Sequence, residues 1–123
     1  MTEKEIFIEN FKKRTKKFAV DVILFCNSLK NGKSSSVVEY QLAKCATSVG
    51  ANYRAACRAR SKPEFFSKLC VVVEEADETE YWLEVIEEAQ LARNQEELKR
   101  LQKEAHEIVM ILTKAKTTSY KHI

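Results

Sequence analysis

The sequence predicts an all-α protein, an up-down-up-down antiparallel four-helix bundle, on three observations. Only two glycines and one proline interrupt 123 residues that are 45% hydrophobic, leaving few places to turn and much apolar material to bury. Apolar residues recur in four separate segments at alternating steps of four and three, the period of a helix that buries one stripe. The links between those segments are short, which favours antiparallel neighbours. At 14.2 kDa the chain reads as a single domain, 1–123, able to bury roughly two thirds of its unfolded surface around one core.

The first helix, about 3–30, carries the stripe Phe11, Thr15, Phe18, Val22, Phe25 and Leu29. Asn31-Gly32 follows as a pair tolerant of a left-handed C-cap, and Ser34, Ser35 and Ser36 are N-cap candidates for the next helix. The second helix, about 35–60, runs through Val38, Leu42, Cys45, Val49, Asn52 and Ala56. Its stop has a chemical cause in Ser61-Lys62-Pro63-Glu64: Ser61 caps, Pro63 sits in a first turn where no amide donor is missed, and Glu64 has capping-box spacing. The third helix, about 62–92, follows Phe65, Leu69, Val72, Ala76, Thr79, Leu83 and Ile86. Asn94 and Glu97 repeat the capping-box spacing before the fourth helix, about 95–116, with Leu98, Leu101, Ala105, Ile108, Leu112 and Ala115.

Several function classes are disfavoured. The opening MTEKEIFIEN mixes acids and bases, and no stretch approaches the roughly 18 to 20 uninterrupted apolar residues of a spanning helix, so a soluble, cytoplasmic protein is expected. Cys26, Cys45, Cys57 and Cys70 form no CxxC pair and lie far from His106 and His122, so reduced thiols acting as small hydrophobes are expected rather than a metal site. The acidic run EEADETE at 74–80 lacks the Glu-x-x-His partner of carboxylate-bridged metal bundles, and there is no glycine-rich phosphate loop or nucleophile elbow. Neither enzyme activity nor a cofactor is expected.

Two surface features point to partners. LCVVV at 69–73 is apolar all the way round, and Phe66, Cys70 and Val73 form a second stripe that Tyr81 continues; a face left over after the core is filled is expected to meet another chain. Charge is also divided: residues 1–62 hold 13 Lys and Arg against 5 Asp and Glu, whereas 63–123 hold 8 against 13. Protomers polarised in this way can dock head to tail and close as a ring, although a symmetric dimer would bury the same stripe.

The outer line of the second helix reads Tyr40, Lys44, Thr47, Ala51, Arg54, Arg58, and Lys12, Lys13 and Lys16 of the first helix also point away from its core stripe. Together these residues form a candidate basic face for phosphate backbones, which release condensed counterions when neutralised. The competing reading is a solvated face, or one paired with Glu74, Glu75, Asp77, Glu78 and Glu80. Asn52, on the core stripe, is expected to be a satisfied buried amide, and Trp82 a core or interface anchor.

The run SVGANYRAACRARSKPEFFSKL at 48–69, followed by EADETEYWLEVI at 75–86, resembles the small four-helix-bundle family first noticed as reading frames inside intervening sequences of bacterial 23S ribosomal RNA genes. That family includes the accessory variability determinant proteins of diversity-generating retroelements. The resemblance implies a homopentameric ring, no enzyme activity and, for the retroelement members, a basic surface that meets nucleic acid and a reverse transcriptase. Where the family often has an acidic residue and a glycine after the asparagine, this chain has Ala55 and Ala56. The expectation is therefore a homo-oligomeric bundle that binds RNA or DNA through Lys12, Lys13, Lys16, Tyr40, Lys44, Arg54 and Arg58 and assembles through Phe66, Cys70, Val73 and Tyr81. The alternative is a protein-interaction scaffold, an accessory subunit for an enzyme such as a reverse transcriptase.

Overall fold

A computed structural model describes all residues 1–123. It contains four helices and no strand: α1 Glu3–Cys26, α2 Lys33–Ala56, α3 Lys62–Glu88 and α4 Gln95–Tyr120. Each helix packs on its two neighbours and none on the helix diagonally opposite; the α1–α4 seam is the thinnest of the four. One core of 22 buried residues draws on all four helices, and Val22, Leu42, Val49, Leu69, Val72, Leu83, Ile86, Leu98, Leu101 and Leu112 are wholly inaccessible. Each such side chain contributes about 1.5–3 kcal/mol by leaving water. The buried residues follow the predicted stripes except that Asn52, Phe65 and Ala115 are half-buried, and Cys26, Ser35, Ala46 and Tyr53 are buried in addition.

Thr15 and Thr79, the polar members of the stripes, are buried without penalty because their hydroxyls donate to Phe11 O at 3.0 Å and Glu75 O at 2.8 Å in their own helices. Gly50 lets α1 and α2 approach closely, since a Cβ there would lie 3.4 Å from the Thr15 backbone. That contact and the edge-on packing of Phe11 against Tyr53, with ring centroids 4.9 Å apart, set the register of the two helices.

The helix ends differ from the sequence reading in instructive ways. α1 stops at Cys26 with Asn27 as C-cap, and Gly32, at φ +151°, is the N-cap of α2 instead of the end of α1. None of the three serines caps α2. Ser36 donates its hydroxyl back to Gly32 O at 3.1 Å, and Ser35 is buried with its Oγ unpartnered, because the helix has already begun at Lys33.

Ser61 and Asn94 do cap α3 and α4, accepting from Glu64 N at 3.2 Å and Glu97 N at 3.0 Å. Neither box closes, since Glu64 turns to Arg60 and Glu97 to Arg100. The reciprocal box is at Thr2 and Glu5, which start α1.

α3 ends at Glu88 in a Schellman turn, with Leu91 N bonded to Ile86 O and Gln90 N to Glu87 O. Gln90 occupies the left-handed position there at φ +57°, where glycine is usual. Lys30 N donates to Leu91 O at 2.9 Å, tying the α1–α2 link to the α3–α4 link at one end of the bundle.

Candidate nucleic-acid interface and the trough beside it

The outer line of α2 is a continuous ridge. Tyr40, Lys44, Ala51, Arg54 and Arg58 are exposed and Thr47 is half-buried, its hydroxyl bonded to Ala43 O at 2.7 Å. Lys44 Nζ sits 5.9 Å from the centre of the Tyr40 ring, a cation over a π face. On α1, Lys13 and Lys16 are exposed, and Lys12 is half-buried and held by Glu9 at 3.1 Å. The register set by Phe11–Tyr53 and Thr15–Gly50 places Lys12 and Lys16 level with the part of α2 that carries Arg54.

No carboxylate of the chain lies within ion-pair distance of Lys13, Lys16, Lys44, Arg54 or Arg58. The acids of α3 are directed elsewhere: Glu80 meets His106 Nδ1 at 3.1 Å, Glu78 accepts from Trp82 Nε1 at 3.2 Å, and Glu87 faces Lys99 at 3.9 Å. An intramolecular network thus does not neutralise the ridge. The paired cations are at the α1–α4 seam, where Arg14 grips Glu104 with Nε and Nη2 at 2.8 and 2.7 Å and Glu107 at 3.1 Å. Further along that seam Arg100 bridges Asp21 and Glu97.

Asn52 is half-buried and is satisfied within its own helix, its amide donating to Ser48 O at 3.0 Å. The second stripe of α3 is divided. Phe66 and Val73 are half-buried toward α4, with the Phe66 ring 5.5 Å from that of Tyr120 and Val73 packed on the core. Cys70 is also half-buried, and Tyr81, 54% exposed, stands in solvent with its ring edge-on to Trp82.

A further set of exposed apolar side chains, overlooked in the sequence, is on the outer face of α1: Val20, Ile23 and Leu24. Its signal was available, since 20, 23 and 24 fall outside the core stripe at helical spacing.

All four cysteines are free. Burial pushes the Cys26 and Cys45 thiols up to about 11. Burial also raises Cys57, against the pull of Tyr53 and Lys12, so this thiol does not gain thiolate character.

At the other end of α1 the seam with α4 parts. Beyond the Arg14 clamp an open trough of about 910 Å³ lies between the start of α1, the α2–α3 link and the last turns of α4. Phe7, Ile8, Phe65 and Ile111 line its floor. No sequence pattern marks this feature, because its lining is assembled from α1, the α2–α3 link and α4, which are far apart in sequence.

The fold defines a class: a small antiparallel four-helix bundle whose interior is filled by its own side chains, leaving the surface to carry any chemistry. Within that class, the chain belongs to the 23S rRNA-intervening sequence protein family, whose model matches residues 10–114. It is similar to a crystal structure from Bacteroides thetaiotaomicron, described as a protein of unknown function from the S23 ribosomal protein family, with 31% identity and a TM-score of 0.78. The match covers 89% of this chain and 97% of that one. No curated protein matches the chain. No helix is long and apolar enough to cross a membrane.

Proposed function

We propose that the chain is a non-enzymatic, cytoplasmic, homo-oligomeric bundle that binds RNA or DNA through Lys12, Lys13, Lys16, Tyr40, Lys44, Arg54 and Arg58. The observation that carries this reading is the absence of intramolecular partners for five of those cations, while Arg14 and Arg100 at the α1–α4 seam are paired. Lys44 to Arg58 spans about 21 Å of helix at about 1.5 Å per residue, long enough to follow several phosphates. Contact is through charge and is largely independent of base sequence.

Assembly uses the α3 surface at Phe66, Cys70, Val73 and Tyr81, in the pentamer that the resemblance implies. The half-burial of Phe66 and Val73 makes Tyr81 the more accessible part of that surface. A glutamate at Phe66 or Val73 is expected to lower the native mass, and an unchanged mass moves the interface elsewhere.

The test of binding is titration of a short mixed-sequence duplex DNA at about 50 and 200 mM salt. With five phosphates neutralised, the slope of log K on log salt is about −4.5, so affinity falls about 500-fold over that range. Arg54→Glu with Arg58→Glu reduces the loss to at most about 40-fold, since about three contacts remain. A binding curve that ignores salt, or is unchanged by the double reversal in an intact oligomer, refutes the reading. The second reading, a scaffold for a protein partner such as a reverse transcriptase, rests on the exposed Val20, Ile23 and Leu24 of α1, which phosphate contacts leave unused.

A further inference from the structure

The trough between α1 and α4 combines two properties that the basic ridge lacks. Its floor is aromatic and aliphatic, formed by Phe7, Ile8, Phe65 and Ile111, and Phe7 is 51% exposed despite its size. Its rim carries Lys4, Arg60, Lys62, Lys114 and His122, and no aspartate or glutamate lines it anywhere. Lys4, Lys62 and Lys114 have no ion-pair partner, and Arg60 meets Glu64 only loosely, at 3.6 Å with a side chain 90% exposed. Along α4 the lining runs from Ile111 to Ser119, about 12 Å at about 1.5 Å per residue, and His122 extends it past the helix end.

From this combination we infer that the trough docks an amphipathic helix of a partner protein, apolar on one face and acidic along both flanks, laid into the gap between α1 and α4. The mode is that of a helix in a groove, where apolar anchors at helical spacing supply affinity and flanking charges set orientation and partner choice. An apolar helix face matches this floor better than a run of bases does, because Phe7 is its one large exposed aromatic and Ile8, Ile111 and Ala115 make the rest aliphatic.

A second copy of this chain does not supply the partner. Its acidic helix α3 has already buried its apolar stripe, and the large apolar side chains that α3 leaves exposed are Val71 and Tyr81, ten positions apart. The inference is independent of the ridge, which lies on the outer face of α2.

The experiment uses the full chain and a fluorescein-labelled helical peptide of about four turns, with leucine at i, i+3, i+4 and i+7 and glutamate on both flanks, followed by anisotropy. Saturable binding is expected, with at least a tenfold loss for a scrambled peptide of the same composition and for Lys62→Glu with Lys114→Glu. Both lysines are solvent-exposed, and helicity and native mass of the variant are checked alongside. Arg54→Glu with Arg58→Glu leaves peptide affinity within twofold, which separates failure of the ridge from failure of the trough.

The proposal is overturned if no saturable signal appears up to about 1 mM peptide, the weak end of specific association. Equal binding of the scrambled peptide, or unchanged affinity in the lysine variant, overturns it as well. If the long-chain anion oleate binds in a lysine-dependent manner while the peptide does not, the site belongs to a lipid instead.

Discussion

Replacing Arg14 with alanine tests whether the thin α1–α4 seam is held by charge. Arg14 makes a bidentate contact with Glu104 and a third bond to Glu107, and the Arg14 and Glu104 side chains are 33% and 25% exposed. Exposed ion pairs contribute about 0.2–1 kcal/mol, and hydrogen bonds to charged groups about 1.5–3 kcal/mol. Partial exposure places the clamp between these limits, at about 1.5 kcal/mol, and alanine also leaves two carboxylates facing each other one turn apart. At about 2.1 cal/mol/K per residue, a chain of this length unfolds with an entropy of about 0.26 kcal/mol/K, so Tm falls by about 6 °C.

The pH dependence has a definite sign. The Arg14 hydrogen bond holds the Glu104 carboxyl below the usual carboxylate range, and Arg100 does the same for Glu97. Asp21 is pushed up by burial but lowered further by Lys17 and Arg100, for a net depression. Groups depressed in the folded state stabilise fully above their unfolded values near pH 4, and that contribution disappears as pH falls through the lowered folded values. The assay is thermal unfolding by circular dichroism at fixed protein concentration, at pH 7 and at about pH 3. Wild type and Arg14→Ala should differ at pH 7 and converge at the acid end, with Arg14→Lys between them at pH 7. A Tm difference under about 1 °C at pH 7, or one of equal size at both pH values, refutes the reasoning.

Three further outcomes follow from single features. Gln90→Gly relieves the left-handed backbone that ends α3 and should raise stability by about 1 kcal/mol, read as a Tm gain of about 4 °C. Ser35→Ala removes a buried hydroxyl that has no partner, and denaturant unfolding should show an unchanged or higher midpoint; a clear loss would mean that the hydroxyl is satisfied in solution. In a thiol-reagent assay at pH 8, Cys26 and Cys45 should react only after unfolding, because burial keeps their thiols protonated and covered; fast native labelling of either would contradict the packing.

The stripe of Phe11, Thr15, Phe18, Val22 and Phe25 was legible because a buried helical face imposes its period on the chain regardless of partners, whereas Leu29 is buried from the link beyond the helix end. The stop at Ser61 was legible because capping is a local event. The start of α2 was not, since choosing Gly32 over three adjacent serines depends on how the preceding link returns, and that is decided by Leu29 and Lys30 packing against the opposite loop. Asn52 and Tyr53 exchanged roles for a similar reason: the Phe11 ring rewards an aromatic neighbour, and Ser48 offers the amide a partner within its own helix. In the candidate site, the outward direction of Lys44, Arg54 and Arg58 followed from helical phase. Whether acids of α3 would reach them depended on side-chain placement that phase alone does not specify. The trough was beyond reach, since sequence period says where a helix is apolar and nothing about where two helices part.

The hydrogen bond between Lys30 N and Leu91 O makes the two ends of the bundle mechanically unequal. It fastens the α1–α2 hairpin to the α3–α4 hairpin at one end, as a rivet fastens a pair of tongs, while at the far end the jaws formed by α1 and α4 face each other across the trough. The Arg14 clamp sits part-way along and limits how wide they swing. Amide exchange should therefore be slowest near the rivet and quicken along α1 and α4 toward the jaws, so the width available to a guest depends on contacts that the guest itself never touches.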